Sequence, residues 1–141
     1  MKAPLTRLLL LLAGLFALVP PAFAHHPFAA EFDKDKPIHV IGTVSKVDWT
    51  NPHASVTVDT KDSADHVTTW VFELGGPNAL KRRGWKQESM KNGDQITVDG
   101  WQARDGSHRG NANKIVLANG KTLNAASSFF EKPSKTGSAS N

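Results

Sequence analysis

The strongest constraint on the fold is a series of short segments in which apolar and polar residues alternate. In residues 54–59 (ASVTVD) apolar side chains alternate with polar ones, the period expected of a strand with one face in water. Residues 38–49, 67–74 and 95–103 are also rich in β-branched and aromatic residues. Residues 113–117 form a fifth such segment, and Asn119-Gly120 opens a tight hairpin to residues 121–123. The sequence therefore predicts an all-β domain.

The first predicted strand changes its apolar parity along its length. Ile38, Val40 and Val44 occupy even positions, whereas Val47 and Trp49 occupy odd positions. Because the two faces of a strand alternate, such a switch indicates a β-bulge near Ser45-Lys46 or a strongly bent strand.

One helical signal interrupts the strands, at residues 77–84 (PNALKRRG). Proline stands in its first turn, basic residues in its last, and Gly84 just beyond, which predicts a helix of two turns at most. A helix between strands three and four favours a small five-stranded OB-like barrel, with a small sandwich or an SH3-like barrel as the alternative. The residues expected in the core are Val44, Val56, Val58, Trp70, Phe72, Ile96, Val98 and Ile115.

The ends of the chain differ in composition from this body. Residues 1–24 combine Lys2 and Arg7, a 12-residue apolar run and the cleavage triplet AFA, the pattern of a signal peptide. We expect cleavage between Ala24 and His25, a periplasmic or secreted bacterial protein, and no membrane anchor in the product. A lead-in (25–36), the barrel domain (37–124) and a disordered tail rich in Ser, Lys and Gly (125–141) follow.

Processing at this point exposes a potential metal ligand. The new α-amino group of His25 has a reference pKa of about 7.7–8.0, so the amine and the imidazole of His25 can chelate one ion near neutral pH. His26 follows directly, and His53 lies in the motif WTNPH between strands one and two. The chain has no Cys, which excludes thiolate sites. Nitrogen ligands alone suit Cu(II) first, with Zn(II) less favoured.

Two further residues are candidates for a ligand-binding surface. Glu73 interrupts an apolar run; it either points to solvent or, if buried, needs a partner such as Arg82, Arg83 or Arg104. Glu73 is also placed to be an oxygen ligand beside His53. Arg104 begins the glycine-rich segment RDGSHRG, a loop that often lines the ligand surface of OB-type barrels.

Composition removes several classes of function. The formal net charge of +4 includes Lys2 and Arg7, so loss of the leader weakens the electrostatic case for nucleic-acid binding. No motif of an activated nucleophile, a zinc protease or a phosphate-binding loop occurs, which disfavours a conventional enzyme. Two classes remain: a metal-binding protein that uses His25, His26 and His53, and a barrel that binds a small ligand or a protein partner.

Four motifs together also resemble a known family. They are AHH-x-F at the mature N-terminus, WTNPH, PNALKRRGW and RDGS. In this order they are similar to a family of short secreted bacterial proteins known only as a domain of unknown function. The resemblance implies a small secreted β domain and no particular activity.

Overall fold

The computed structural model describes residues 28–126. The elements, in chain order, are helix α1 (Phe28–Glu31), strands β1 (Phe32–Asp48), β2 (Ser55–Lys61) and β3 (Val67–Glu73), helix α2 (Pro77–Arg82), a 3-10 turn (Gln87–Ser89), and strands β4 (Gln95–Ala103), β5 (Arg109–Leu117) and β6 (Thr122–Asn124). The protein is therefore all-β with short helices, as the alternating segments predicted. Among these residues, no helix combines the length and the apolar character needed to cross a membrane.

The strands form one sheet that returns on itself. Its order is β3-β2-β1-β4-β5-β6, and β3 pairs in addition with β5. The long β1 pairs antiparallel with β2 along one half and with β4 along the other. The β3–β5 pairing is parallel and joins Val71–Glu73 to Arg109–Asn111. Because of this last pairing, the carboxyl end of β3 lies beside the start of β5.

The bulge predicted in the first strand is present. The register between β1 and β2 shifts between Val44 and Lys46, opposite Val58 and Thr57. The extra residue moves the side chains after it to the other face of the strand. This explains why the apolar parity changes in the sequence.

The interior of the ring contains the expected apolar side chains. Seven of the eight predicted core residues are buried: Val44, Val56, Val58, Phe72, Ile96, Val98 and Ile115. Trp70 is the exception, since it is only partly buried and packs against the core from its border. Its ring stacks on Phe72 and approaches the ring of His108 at 4.9 Å.

Helix α2 begins at Pro77, as predicted, and ends at Arg82. Gly84 follows with a φ of 86°, a conformation that favours glycine. Trp85 is buried directly after it, and its indole N–H donates a hydrogen bond to the carbonyl of Asn124 at 2.8 Å. Trp85 thus fastens the end of the helix to β6.

The first strand starts earlier than the sequence pattern indicated. We expected the strand to begin at residue 38, whereas β1 begins at Phe32, which is buried and pairs with Ala103. The charged segment 33–36 (DKDK) hides this extension, because it forms an irregularity between two paired stretches and shows no apolar period. At the other end, Ala125 and Ala126 are buried. Residues 127–141 of the predicted tail lie outside the described residues.

Candidate functional site

The site residues predicted from the sequence divide into two groups. His25 and His26, with the expected leader, lie outside the described residues. His53, Glu73 and Arg104 lie within them, and the structure places all three around the end of the ring where β3 finishes and β5 starts.

His53 stands on a loop held closely to the sheet. Its neighbour Ala54 is buried; the Ala54 N–H donates to the Gly75 carbonyl, and the Leu74 N–H donates to the Ala54 carbonyl at 2.8 Å. Gly76 backs the loop, since a Cβ there would lie 2.6 Å from the Pro52 carbonyl oxygen. The backbone on both sides of the His53 ring is therefore fixed.

The imidazole of His53 contacts the carboxylate of Glu73. Nδ1 lies 3.1 Å from Oε1, and the two side chains are 35% and 26% exposed. Glu73 is thus half-buried and paired with a histidine, neither fully solvated nor bonded to one of the arginines expected from the sequence. Arg104 donates to the Ala29 carbonyl instead, and Arg83 donates to the Ala126 carbonyl.

Asn111 is the second partner of Glu73. Its Nδ2 donates to the same Oε1 at 3.1 Å, and the two residues are register partners across the parallel β3–β5 pairing. Asn111 is fully buried, and its Oδ1 has no hydrogen-bond partner. The sequence patterns did not indicate Asn111 as a site residue. Because Asn is depleted in strands, its place inside the run GNANKIVL was the available signal.

The surroundings of Glu73 change its protonation equilibrium. Burial raises the pKa of Glu73, and the charge of Glu31 raises it further, while the contacts with His53 and Asn111 lower it. The net direction is upward. The fold therefore keeps a carboxylate where its ionised form costs free energy.

The N-terminal segment is fastened near this cluster by Arg104. The backbone N–H of Arg104 donates to the Glu31 carbonyl at 2.9 Å, and its Nε donates to the Ala29 carbonyl at 2.7 Å. Arg109, at the start of β5, lies 3.6 Å from the Glu31 carboxylate. The charge of the same carboxylate raises the pKa of Glu73. The carboxylate at the end of helix α1 is therefore close enough for its charge to act on Glu73.

Aromatic packing holds the start of α1 in the same place. The ring of Phe28 meets the ring of Trp101 edge-on at 5.7 Å and tilts against Phe32 at 5.4 Å. Trp101 is the register partner of Asn111 on the adjoining strand. These contacts hold the first described residue at this end of the ring.

A second histidine–carboxylate contact lies elsewhere, on the exposed outer face of β1 and β4. His39 Nδ1 is 2.5 Å from the Asp99 carboxylate, and Lys114 Nζ binds the other oxygen of Asp99 at 2.8 Å. The hydrogen bond from Lys114 is the main reason that the pKa of Asp99 is lowered. His66, whose Nδ1 lies 3.0 Å from the Asp62 carboxylate, and His108 are solvent-exposed.

Within residues 28–126, no group of three or more His, Cys, Asp or Glu side chains is arranged to hold a metal ion. His53 and Glu73 are two such side chains next to each other, and the predicted ligands His25 and His26 belong to the segment just before α1. A site built from all of them would join the N-terminus to the body of the domain.

Comparison with known proteins adds a family and no activity. The model of a family described as "Family of unknown function (DUF6152)" matches residues 13–113. No curated protein matches the sequence.

Proposed function

The chain belongs to the family DUF6152, which has no assigned activity, and from the site alone we propose that the processed protein binds one Cu(II) ion. The α-amine and imidazole of His25 are the primary chelate, His53 adds a second imidazole, and His26 lies in the chelating segment. Zn(II) is the weaker candidate. This is a carrier or sequestering role, with no catalytic step.

The observation that carries the proposal is the position of α1. Two hydrogen bonds from Arg104 and the contacts of Phe28 hold the first described residues at the β4–β5 end of the ring, where the charge of Glu31 acts on Glu73. In this proposal His25, three positions before Phe28 in the sequence, supplies the amine and one imidazole, and His53 supplies a second imidazole. The ligands thus come from two parts of the chain.

The chemistry of the donors favours copper. A neutral amine and imidazoles, with no thiolate, form the donor set that Cu(II) prefers in tetragonal geometry, and copper stands highest in the affinity order of the divalent ions. Pro27 has no N–H, so chelation by backbone amides stops after His26. The half-buried carboxylate of Glu73 places one negative charge next to the ion.

The finer fold and the location belong to the same proposal. An OB-like barrel is supported by the long shared strand β1, the parallel β3–β5 pairing and the position of α2 between β3 and β4. Export to the periplasm or exterior is supported by the form of residues 1–24. Export also matters chemically, because only cleavage before His25 produces the α-amine.

The test compares Cu(II) binding, by titration calorimetry with a competing chelator, in four proteins. They are the chain starting at His25, the same chain with one extra residue before His25, His53→Ala, and His39→Ala as a control from the exposed pair. The extra residue converts the amine into an amide, so we expect weaker binding in the extended chain and in His53→Ala, and unchanged binding in His39→Ala.

Equal binding by the native and extended chains would refute the proposal. His25 and His26 would then be ordinary surface histidines, and a barrel that binds a small ligand or a protein partner would become the better hypothesis. Intact mass of the exported protein checks the premise, since it must correspond to a chain that starts at His25.

A further inference from the structure

The geometry around His53 assigns a role to Glu73, which we infer to be a positioning residue that acts on the metal through His53. This inference rests on the proposed copper site. Glu73 and Asn111 fix which nitrogen of the His53 ring faces the metal, and Glu73 itself does not bind the ion.

The contact with Glu73 determines which nitrogen of the His53 imidazole carries the proton. An ionised carboxylate only accepts hydrogen bonds, and Nδ1 of His53 lies 3.1 Å from Glu73 Oε1. With Glu73 ionised and the ring neutral, this contact favours the proton on Nδ1, which places the lone pair on Nε2. Histidines that bind metals commonly donate their other N–H to a carboxylate, which sets both the tautomer and the orientation of the ring.

Asn111 holds the Glu73 carboxylate in position. Asn111 Nδ2 donates to the same Oε1 at 3.1 Å, so this oxygen contacts both the amide of Asn111 and the imidazole of His53. Asn111 is fully buried and in register with Glu73 across the β3–β5 pairing. The Asn111 backbone is packed tightly as well, since a Cβ on Gly100 would lie 2.1 Å from its carbonyl oxygen. The position of Glu73 is thus set by the sheet.

Asn111, Glu73 and His53 form a chain of side-chain contacts. A buried amide holds a half-buried carboxylate, and the carboxylate holds the ring of a histidine on a fixed loop. The ionised carboxylate also increases the electron density on the imidazole, which strengthens it as a ligand. Loss of such a partner costs metal affinity about 10–100-fold in other sites.

The test is a double-mutant cycle on the chain starting at His25. Cu(II) affinity is measured for the native protein, Glu73→Gln, His53→Ala and the double variant, with Asp99→Asn as the matched control. Gln keeps the size of the side chain and an acceptor oxygen but removes the charge. We expect Glu73→Gln to weaken binding about 10–100-fold in the native background, and by less than about threefold where His53 is Ala. Asp99→Asn should change nothing.

An equal loss in both backgrounds would overturn the inference, because Glu73 would then bind the ion directly or support the fold in general. No loss from Glu73→Gln in a protein that does bind copper through His25 would overturn it too.

A second measurement needs no metal. Nitrogen chemical shifts of the His53 ring in the metal-free protein report the tautomer, and we expect the proton on Nδ1 in the native chain and a mixture of tautomers in Glu73→Ala. A proton on Nε2 in the native chain would refute the positioning role, whatever the copper titrations give. Conversely, failure of the copper site alone appears in the comparison of native and extended termini, so the two failures are distinguishable.

Discussion

Two of the three histidine–carboxylate pairs among the described residues, His39–Asp99 and His53–Glu73, have the same chemistry and opposite surroundings. His39 and Asp99 are 62% and 30% exposed on the outer face of the sheet, and Lys114 binds the same carboxylate. His53 and Glu73 are 35% and 26% exposed, Glu73 also accepts a hydrogen bond from the neutral, buried amide of Asn111, and Glu31 adds a second negative charge that acts on Glu73.

The difference appears in the two carboxylates. The lysine lowers the pKa of Asp99, whereas burial raises the pKa of Glu73. Only the first pair is arranged as a surface ion network that the fold tolerates at little cost. The His53–Glu73 pair keeps a carboxylate where burial disfavours its ionised form. Groups with pKa values perturbed in this way occur most often at binding and catalytic sites. For this reason we place the site at His53.

The largest expected effect separates the two histidines by their copper affinity. In the processed chain, His53→Ala should weaken Cu(II) binding by more than about 100-fold, because it removes a ligand and loss of a mere supporting group already costs about 10–100-fold. His39→Ala should leave the affinity unchanged. Competition titration measures both. Equal losses would show that burial does not distinguish the pairs.

The tether of the N-terminal segment should have a smaller effect. Arg104→Ala removes the bond from Nε to the Ala29 carbonyl, so the segment before α1 must be ordered on binding. Ordering costs of about 0.5–1.5 kcal/mol per immobilised group correspond to a loss of about 2–12-fold in copper affinity. Lys114→Ala, which removes a cation from the exposed pair, is the control. A loss of equal size in both variants would mean that general charge, and not the tether, is responsible.

The smallest effects concern the stability of the metal-free protein and have opposite signs for the two carboxylates. Since folding raises the pKa of Glu73, its ionised form destabilises the fold; this cost is absent below about pH 4 and complete above the raised folded pKa. Glu73→Gln should therefore raise the unfolding midpoint at neutral pH by a few degrees, the response of a small domain to about 1 kcal/mol or less. The gain should disappear in acid.

Asp99 should behave in the reverse manner. Its lowered pKa means that the ionised form stabilises the fold above about pH 4, and that this contribution is lost as the pH falls through the lowered folded pKa. The pair is exposed and screened by salt, so Asp99→Asn should cost under about 0.5 kcal/mol at neutral pH. Thermal unfolding of the native chain and both variants at neutral and acidic pH measures the contrast. Shifts of the same sign for Glu73→Gln and Asp99→Asn at neutral pH would contradict it.

The parts of the structure that the sequence predicted are those with a local signal. Alternation identified the strands, the parity change after Val44 located the bulge, and Pro77 with Gly84 marked the short helix. These patterns act over a few residues and reflect which face is buried. The start of β1 at Phe32 was not predicted, because the intervening charged residues 33–36 have no apolar period.

The site was predicted only in part for a related reason. His53 and Glu73 each carried a signal, the motif WTNPH between two strands and an acid inside an apolar run. Their proximity was raised as one option for Glu73, but the direct contact between the two side chains depends on the sheet. Asn111 joins them through the parallel β3–β5 pairing, a contact between residues far apart in the chain. For a buried Glu73, arginines were the expected partners because a buried negative charge needs a compensating partner. The fold instead supplies an imidazole and an amide.

The most direct measurement of the central claim is electron paramagnetic resonance of the Cu(II) complex, with pulsed detection of the remote nitrogen of each bound imidazole. The native processed chain should show one more bound imidazole than His53→Ala, while His39→Ala should give the native spectrum. The same number of imidazoles in the native chain and in His53→Ala would contradict a copper site that joins the N-terminus to His53.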